Sequence, residues 1–192
     1  PVIKSVWAGG RPLIKPMSES LNSSRIVREH EIETLPCGLI SALGGKWTTC
    51  RPIALDTLKA VEKVLGQKIG KPKPLQIIGT AQNVDQTRSL LSQQKELLRS
   101  HLPKDPLKEK QIAHLQGNYG LEAFQIVAKS KPNQLIPLSD VIPICEAEIN
   151  RSIKVEHAKT PTDILSRRSR LAMVDIAEAE RLLPLVQNQL EK

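Results

Sequence analysis

At 192 residues and a net charge of +8, the chain has room for one ordinary domain, or for a small domain carrying a piece of another. Hydrophobic residues at 40% and charged residues at 25% exclude a disordered chain, and aromatics at 2% leave a core of Leu, Ile, Val and Ala, which favours helices over an aromatic-rich β-sandwich. Apolar runs of a few residues fall far short of the ~20 that a bilayer span needs, and the scattered aromatics lack the basic interleaving that stacks bases, so no nucleic-acid partner is expected.

In chain order, residues 1 to ~45 read as three short strands. Val2-Ile3 and Val6-Trp7 lead into Gly9-Gly10-Arg11-Pro12, Ile26 to Glu33 partly alternates, and Gly38 to Leu43 is a short apolar run after the Pro36-Cys37-Gly38 turn. Lys15 to Ser24, rich in Ser and Pro, reads as a loop between them. Three strands with no covering helix cannot make a core alone. With an opening at Pro1 instead of Met, they read as the end of a larger upstream domain. From Thr48 to Leu65, Ala54, Leu58, Val61 and Leu65 mark one face of a helix, with Gly66 as its stop.

The stretch from Gly66 to Asn83, with Gly70-Lys71-Pro72-Lys73-Pro74 inside it, is the strongest linker signal in the chain. Beyond it the spacing predicts helices over Asp85–Leu102, Leu107–Gln116, Leu121–Lys129, Ser139–Val155, from Thr160 onward, and Ile176–Leu190, with Ser139, Thr160 and Asp175 as N-caps. The expected fold is mainly α: a C-terminal helical bundle over residues 67–192, preceded in residues 1–66 by a few strands and one helix.

The chemistry-bearing features are few. Gly44-Gly45-Lys46-Trp47-Thr48-Thr49 joins a strand to a helix start, where backbone N–H groups can face an anion. It is not a P-loop, because Ile40 and Trp47 break that pattern. Its plain alternative is a tight turn with Lys46 in solvent. Arg11 and Arg28 each read alone as salt-bridge residues, but with Lys46 they form the set of cations that one phosphate requires. Arg167-Arg168-Ser169-Arg170 could bind acidic lipid or nucleic acid, but is expected instead to pair with acids of its own domain, such as Glu146 or Glu148, or to stay solvated. Cys37, Cys50 and Cys145 are odd in number and far apart, and the four histidines lack ligand spacing, so neither a disulfide framework nor a metal site is expected, and a reducing compartment is the default.

Taken together, Ile3-Lys4-Ser5-Val6-Trp7-Ala8-Gly9-Gly10-Arg11-Pro12-Leu13, Arg28-Glu29-His30 and Gly44-Gly45-Lys46-Trp47-Thr48-Thr49-Cys50-Arg51 resemble the aerobic, FAD-dependent, quinone-linked glycerol-3-phosphate dehydrogenases. The segment Glu156 to Ala172 is similar to the C-terminal helical domain of that family. The likeness is weakest between about residues 66 and 110. It implies that the parent protein oxidises glycerol 3-phosphate to dihydroxyacetone phosphate and passes electrons to quinone. An oxidase branch that hands them to oxygen is the near alternative, and a stand-alone basic interaction module is a third reading.

The resemblance further implies that Arg11, Arg28 and Lys46 bind the substrate phosphate, and that Gly44, Gly45, Lys46, Trp47 and Thr48 lie against the flavin. FAD would be held mainly by an N-terminal part, since no GxGxxG occurs here and no catalytic residue falls in this stretch. It implies a peripheral contact with the inner face of the cell membrane from the cytoplasm, or with the mitochondrial inner membrane in a eukaryote, and leaves self-association open. The 192 residues alone are expected to be inactive. Gly10 in place of a branched apolar residue and Cys50 in place of Tyr depart from the family pattern.

Overall fold

The computed structural model describes residues 2–10, 30–70, 73 and 75–191. The fold is mostly helical with one small two-stranded sheet. The chain divides into two compact units, one of residues 8–74 and one of residues 1–7 with 75–192.

In the smaller unit, β1 (His30–Thr34) pairs antiparallel with β2 (Ile40–Gly44), in a register that sets His30 opposite Gly44 and Thr34 opposite Ile40. Paired residues share a face, so His30, Ile32, Thr34, Ile40 and Ala42 lie on one side, and Glu31, Glu33, Ser41 and Leu43 on the other. The helix α1 (Cys50–Leu65) covers the first side, where His30 Nε2 meets Asp56 at 2.9 Å. It stops at Gly66 as expected. No described residue of this unit is buried.

The larger unit is built from α2 (Val84–His101), α3 (Lys108–Tyr119), α4 (Ala123–Ala128), α5 (Glu146–Lys154), α6 (Leu171–Val174) and α7 (Ile176–Leu190). Leu98, Ile112, Leu115, Val127 and Ala147 belong to one buried cluster, and Ile149, Ile164, Leu171, Leu182 and Val186 to a second. The helix α5 is the wall between them, because successive residues on a helix turn by about 100°. Ala147 therefore faces the first cluster and Ile149 the second, while Glu148 lies buried at the seam. Gly120 marks the tightest approach: a Cβ there would lie 2.2 Å from the carbonyl oxygen of Gly79, whose acceptance of the Leu121 N–H at 2.8 Å ties the segment before α2 to the end of α3.

Several expectations are corrected. Residues 2–10 form no strand. Residues 4–5 instead strap onto the larger unit: Lys4 Nζ reaches Asp175 at 2.8 Å, the Lys4 carbonyl accepts the Ile176 N–H, and Ser5 Oγ donates to Ala172 O at 2.6 Å. The third helix runs through Gly117-Asn118 to Tyr119. The helix expected from Ser139 begins only at Glu146; Pro143 interrupts, Ser139 Oγ closes a turn on Val141 N, and Pro137 bridges Cys145 instead. After Thr160 the chain winds as a π-helix over Asp163–Arg168. Asn83 and Asp175 cap α2 and α7 by accepting the amides of Gln86 and Glu178.

Candidate functional site

The strand-to-helix turn of the smaller unit begins where β2 ends. Gly44 and Gly45 both take positive φ, 67° and 85°, a region that side-chain-bearing residues avoid. A Cβ on Gly45 would sit 2.6 Å from Ile53 Cδ1 and 3.3 Å from His30 Cβ, so the tight turn and the packing of α1 both require glycine there. Lys46 is extended, and its amide and carbonyl both meet Thr49 Oγ1, at 3.3 and 3.0 Å. A single turn of 3-10 helix, Trp47–Thr49, then runs straight into α1. The first amides of this run, on Trp47 and Thr48, have no carbonyl one turn earlier in the helix to bond.

The side chains here face outward. Lys46, Trp47 and Thr48 are exposed, Trp47 at 89%. The turn therefore brings together Gly44, Gly45, Lys46, Trp47 and Thr48 as the sequence order dictates. Arg11 and Arg28 lie outside the described residues. Gly10 is exposed, with no described atom within 4 Å of an added Cβ, and Cys50 is the exposed first residue of α1. Along α1, Pro52, Leu55, Leu58 and Glu62, with Lys68 and Gly70 beyond the helix, line an open cavity of about 640 Å³.

The larger unit holds a polar seam that the sequence alone did not reveal. Glu148, with 2% of its side chain exposed, accepts from His114 Nε2 at 2.8 Å and from the Cys145 N–H at 3.0 Å. Asn118 closes on the other ring nitrogen of His114 at 3.1 Å. Burial, with the Glu148 carboxylate adjoining, pushes the Tyr119 hydroxyl and the Cys145 thiol well above their ordinary ranges, so both stay protonated. Nearby, Arg151 bridges Glu122 at 2.5 Å and Glu156 at 3.2 Å, and its guanidinium lies 5.3 Å from the centre of the Tyr119 ring. The basic run is largely absorbed in the same way, by acids of its own unit as expected: Arg168 pairs with Glu156 and Arg167 with Asp163, in place of the Glu146 or Glu148 named from the sequence.

Residues 72–192 match a protein family described as the C-terminal domain of alpha-glycerophosphate oxidase. The chain belongs to that family. It is also similar over 96% of its length to the mitochondrial glycerol-3-phosphate dehydrogenases of Bos taurus and Homo sapiens, at 33% identity over 191 residues. The probable mitochondrial glycerol-3-phosphate dehydrogenase of Dictyostelium discoideum is 29% identical over 194 residues. The chain spans about a quarter of the length of these curated relatives, 25% of the mammalian proteins and 29% of the Dictyostelium one.

The alpha-glycerophosphate oxidase C-terminal domain thus contains the seam of His114, Glu148 and Arg151, whereas the Gly-Gly-Lys turn precedes it. The seam escaped the sequence reading because its partners are far apart in the chain: His114 and Glu148 are 34 residues apart and meet only where α3 packs near α5. The one available signal was a polar residue, Glu148, between the apolar Ala147 and Ile149 on a helix whose two sides are buried.

Proposed function

We propose that the chain is the C-terminal portion of an FAD-dependent glycerol-3-phosphate dehydrogenase that oxidises glycerol 3-phosphate to dihydroxyacetone phosphate and delivers electrons to quinone. Residues 1–66 are then the end of the flavin and substrate domain, and residues 67–192 the helical C-terminal domain. The observation that carries this reading is the Gly-Gly-Lys turn. Two glycines keep the backbone bare, an exposed ammonium stands at Lys46, and a helix start offers free amides in the same few residues. That donor set fits an oxyanion or an electron-rich ring edge. Bound FAD supplies the hydride acceptor. Lys46, with Arg11 and Arg28, holds the phosphate of the substrate, and Gly44, Gly45, Trp47 and Thr48 give the flavin a surface free of bulky side chains at the glycines.

The description of the matched domain, which names an oxidase, favours a second reading in which electrons pass to oxygen. Quinone reduction against peroxide release by the full-length protein separates the two. No described helix is long and apolar enough to cross a membrane, and the membrane contact of this reading is peripheral.

The site is tested by Lys46→Ala in the full-length protein. A charge-assisted hydrogen bond is worth about 1.5–3 kcal/mol, so kcat/KM for glycerol 3-phosphate should fall about ten- to a hundredfold, while the poor turnover of glycerol hardly changes. Unchanged kinetics for glycerol 3-phosphate would remove Lys46 from the phosphate site.

A further inference from the structure

The geometry points to a second anion site, in the helical unit, for a phosphomonoester carried on a small apolar body. An open cavity of about 520 Å³ lies where α3, the Val141–Pro143 loop, the Ser169–Val174 segment and Trp7 of the strap meet. Its size is that of a pocket for a small organic molecule. Its walls include Trp7, Ile142 and Met173, and among the described residues its charged lining is Lys110 and Arg170, with no carboxylate. An apolar wall with two cations and no acid selects an organic anion.

Arg170 carries the inference. Its backbone stands at φ 60° and ψ 16°, the left-handed conformation that follows a helix and is usually taken by glycine or asparagine. Holding an arginine there costs energy, so the side chain must repay what glycine would spare. Arg167 and Arg168, in the same run, are ion-paired with Asp163 and Glu156. Arg170 has no ion pair among the described residues, and it lines the cavity. Lys110 Nζ donates to the Asp140 carbonyl, which leaves further ammonium N–H groups for a ligand. His114 does not serve as a donor, since Glu148 and Asn118 occupy its two nitrogens; it fixes the wall. An arginine and a lysine lining one cavity suit the oxygens of a phosphomonoester, and Trp7 supplies an aromatic wall for the body behind it.

The site lies outside residues 44–48 and does not depend on the reading given to them. The test is calorimetric titration of the full-length Lys46→Ala protein, in which the proposed substrate site is weakened, with phenyl phosphate, inorganic phosphate and benzyl alcohol, and flotation with vesicles carrying phosphatidic acid. Phenyl phosphate should bind saturably and more tightly than either half-ligand alone. Arg170→Gly and Arg170→Asn should each weaken it about tenfold or more, the loss of one charge-assisted contact, while thermal stability is unchanged or raised because both residues accept the left-handed conformation. Vesicle binding that falls in the same two variants assigns the head group of a lipid as the source; vesicle binding absent or insensitive, with phenyl phosphate sensitive, assigns a soluble ester. The proposal is overturned if phenyl phosphate does not saturate, if neither variant changes its affinity, or if both variants lower the melting temperature, which would make Arg170 a structural residue.

Discussion

The two units of the chain use similar apolar residues to opposite ends. In the helical unit Leu98, Ile112, Leu115, Ile149, Ile164, Leu171 and Val186 are fully buried, and even the polar Glu148 has its partners inside. In the strand–helix unit Leu43 is 42% exposed, Val64 43% and Leu65 59%, and α1 contains no buried residue. Among the described residues of this unit, one sheet of two strands and one helix make two thin layers, and two thin layers leave their outer apolar faces wet. A helical array around α5 closes on itself. The helical unit has a closed core; the strand–helix unit leaves apolar surface bare, which the proposed place at the edge of a flavin and substrate domain would cover.

Core truncation should break the symmetry between the units most strongly. Ile149→Ala and Leu115→Ala should each cost about 2–5 kcal/mol, because each empties a fully buried site. Leu43→Ala and Val64→Ala, already in contact with water in the chain alone, should cost less than about 1 kcal/mol. Urea unfolding of the four variants checks this. Equal costs in the two units would mean that the smaller unit has a core of its own.

Gly45→Ala sharpens the comparison within the smaller unit. Adopting φ 85° strains an L-residue by about 1–2 kcal/mol, and the new methyl must push Ile53 Cδ1 from 2.6 Å. Local unfolding of β2 and α1 should be easier, with the helical unit unaffected. Adding Ile53→Ala should return part of the loss, which a double-mutant cycle measures as a coupling. Additive effects would place the strain in the backbone alone.

The smallest effect concerns acid. The Lys159 and Thr160 amides and the Thr160 hydroxyl, with Arg167 beyond them, hold the Asp163 carboxyl down to about 2 from its ordinary 3.8. A depressed carboxylate stabilises the fold above its unfolded value and loses that contribution as pH falls through the folded one. Asp163→Asn should therefore be less stable near neutrality but lose less between pH 3.8 and about 2, so that the two stability curves converge in acid. Parallel curves across that window would deny Asp163 this role.

Sequence patterns reached the parts of the molecule governed by local rules. The face repeat of α1, its stop at Gly66, and the span of α7 with its Asp175 cap depend on residues within a turn or two of each other. The turn at Gly44-Gly45-Lys46 was legible for the same reason. Most of what failed was decided by distant contacts or by a local turn that overrode the helix signal. The apolar alternation near Val2 and Val6 looks like a strand, yet Lys4 and Ser5 find their partners 171 and 167 residues away. Ser139 has the chemistry of a cap, but Pro143 follows before a helix can form, and its hydroxyl closes a turn instead. The pairing of Arg168 with Glu156 follows from the π-helical winding that carries Arg168 back over the end of α5, a feature without a sequence signature.

Amide hydrogen exchange, measured on the 192-residue chain and on the full-length protein, tests the contrast between the units most directly. In the chain alone, the amides of α3, α5 and α7 should be strongly protected while those of β1, β2 and α1 exchange quickly. In the full-length protein, protection should spread to β1, β2 and α1 if, as proposed, the rest of a flavin and substrate domain covers them. If β1, β2 and α1 are as well protected in the chain alone as in the full-length protein, the smaller unit is self-sufficient and its assignment as the edge of a larger domain fails.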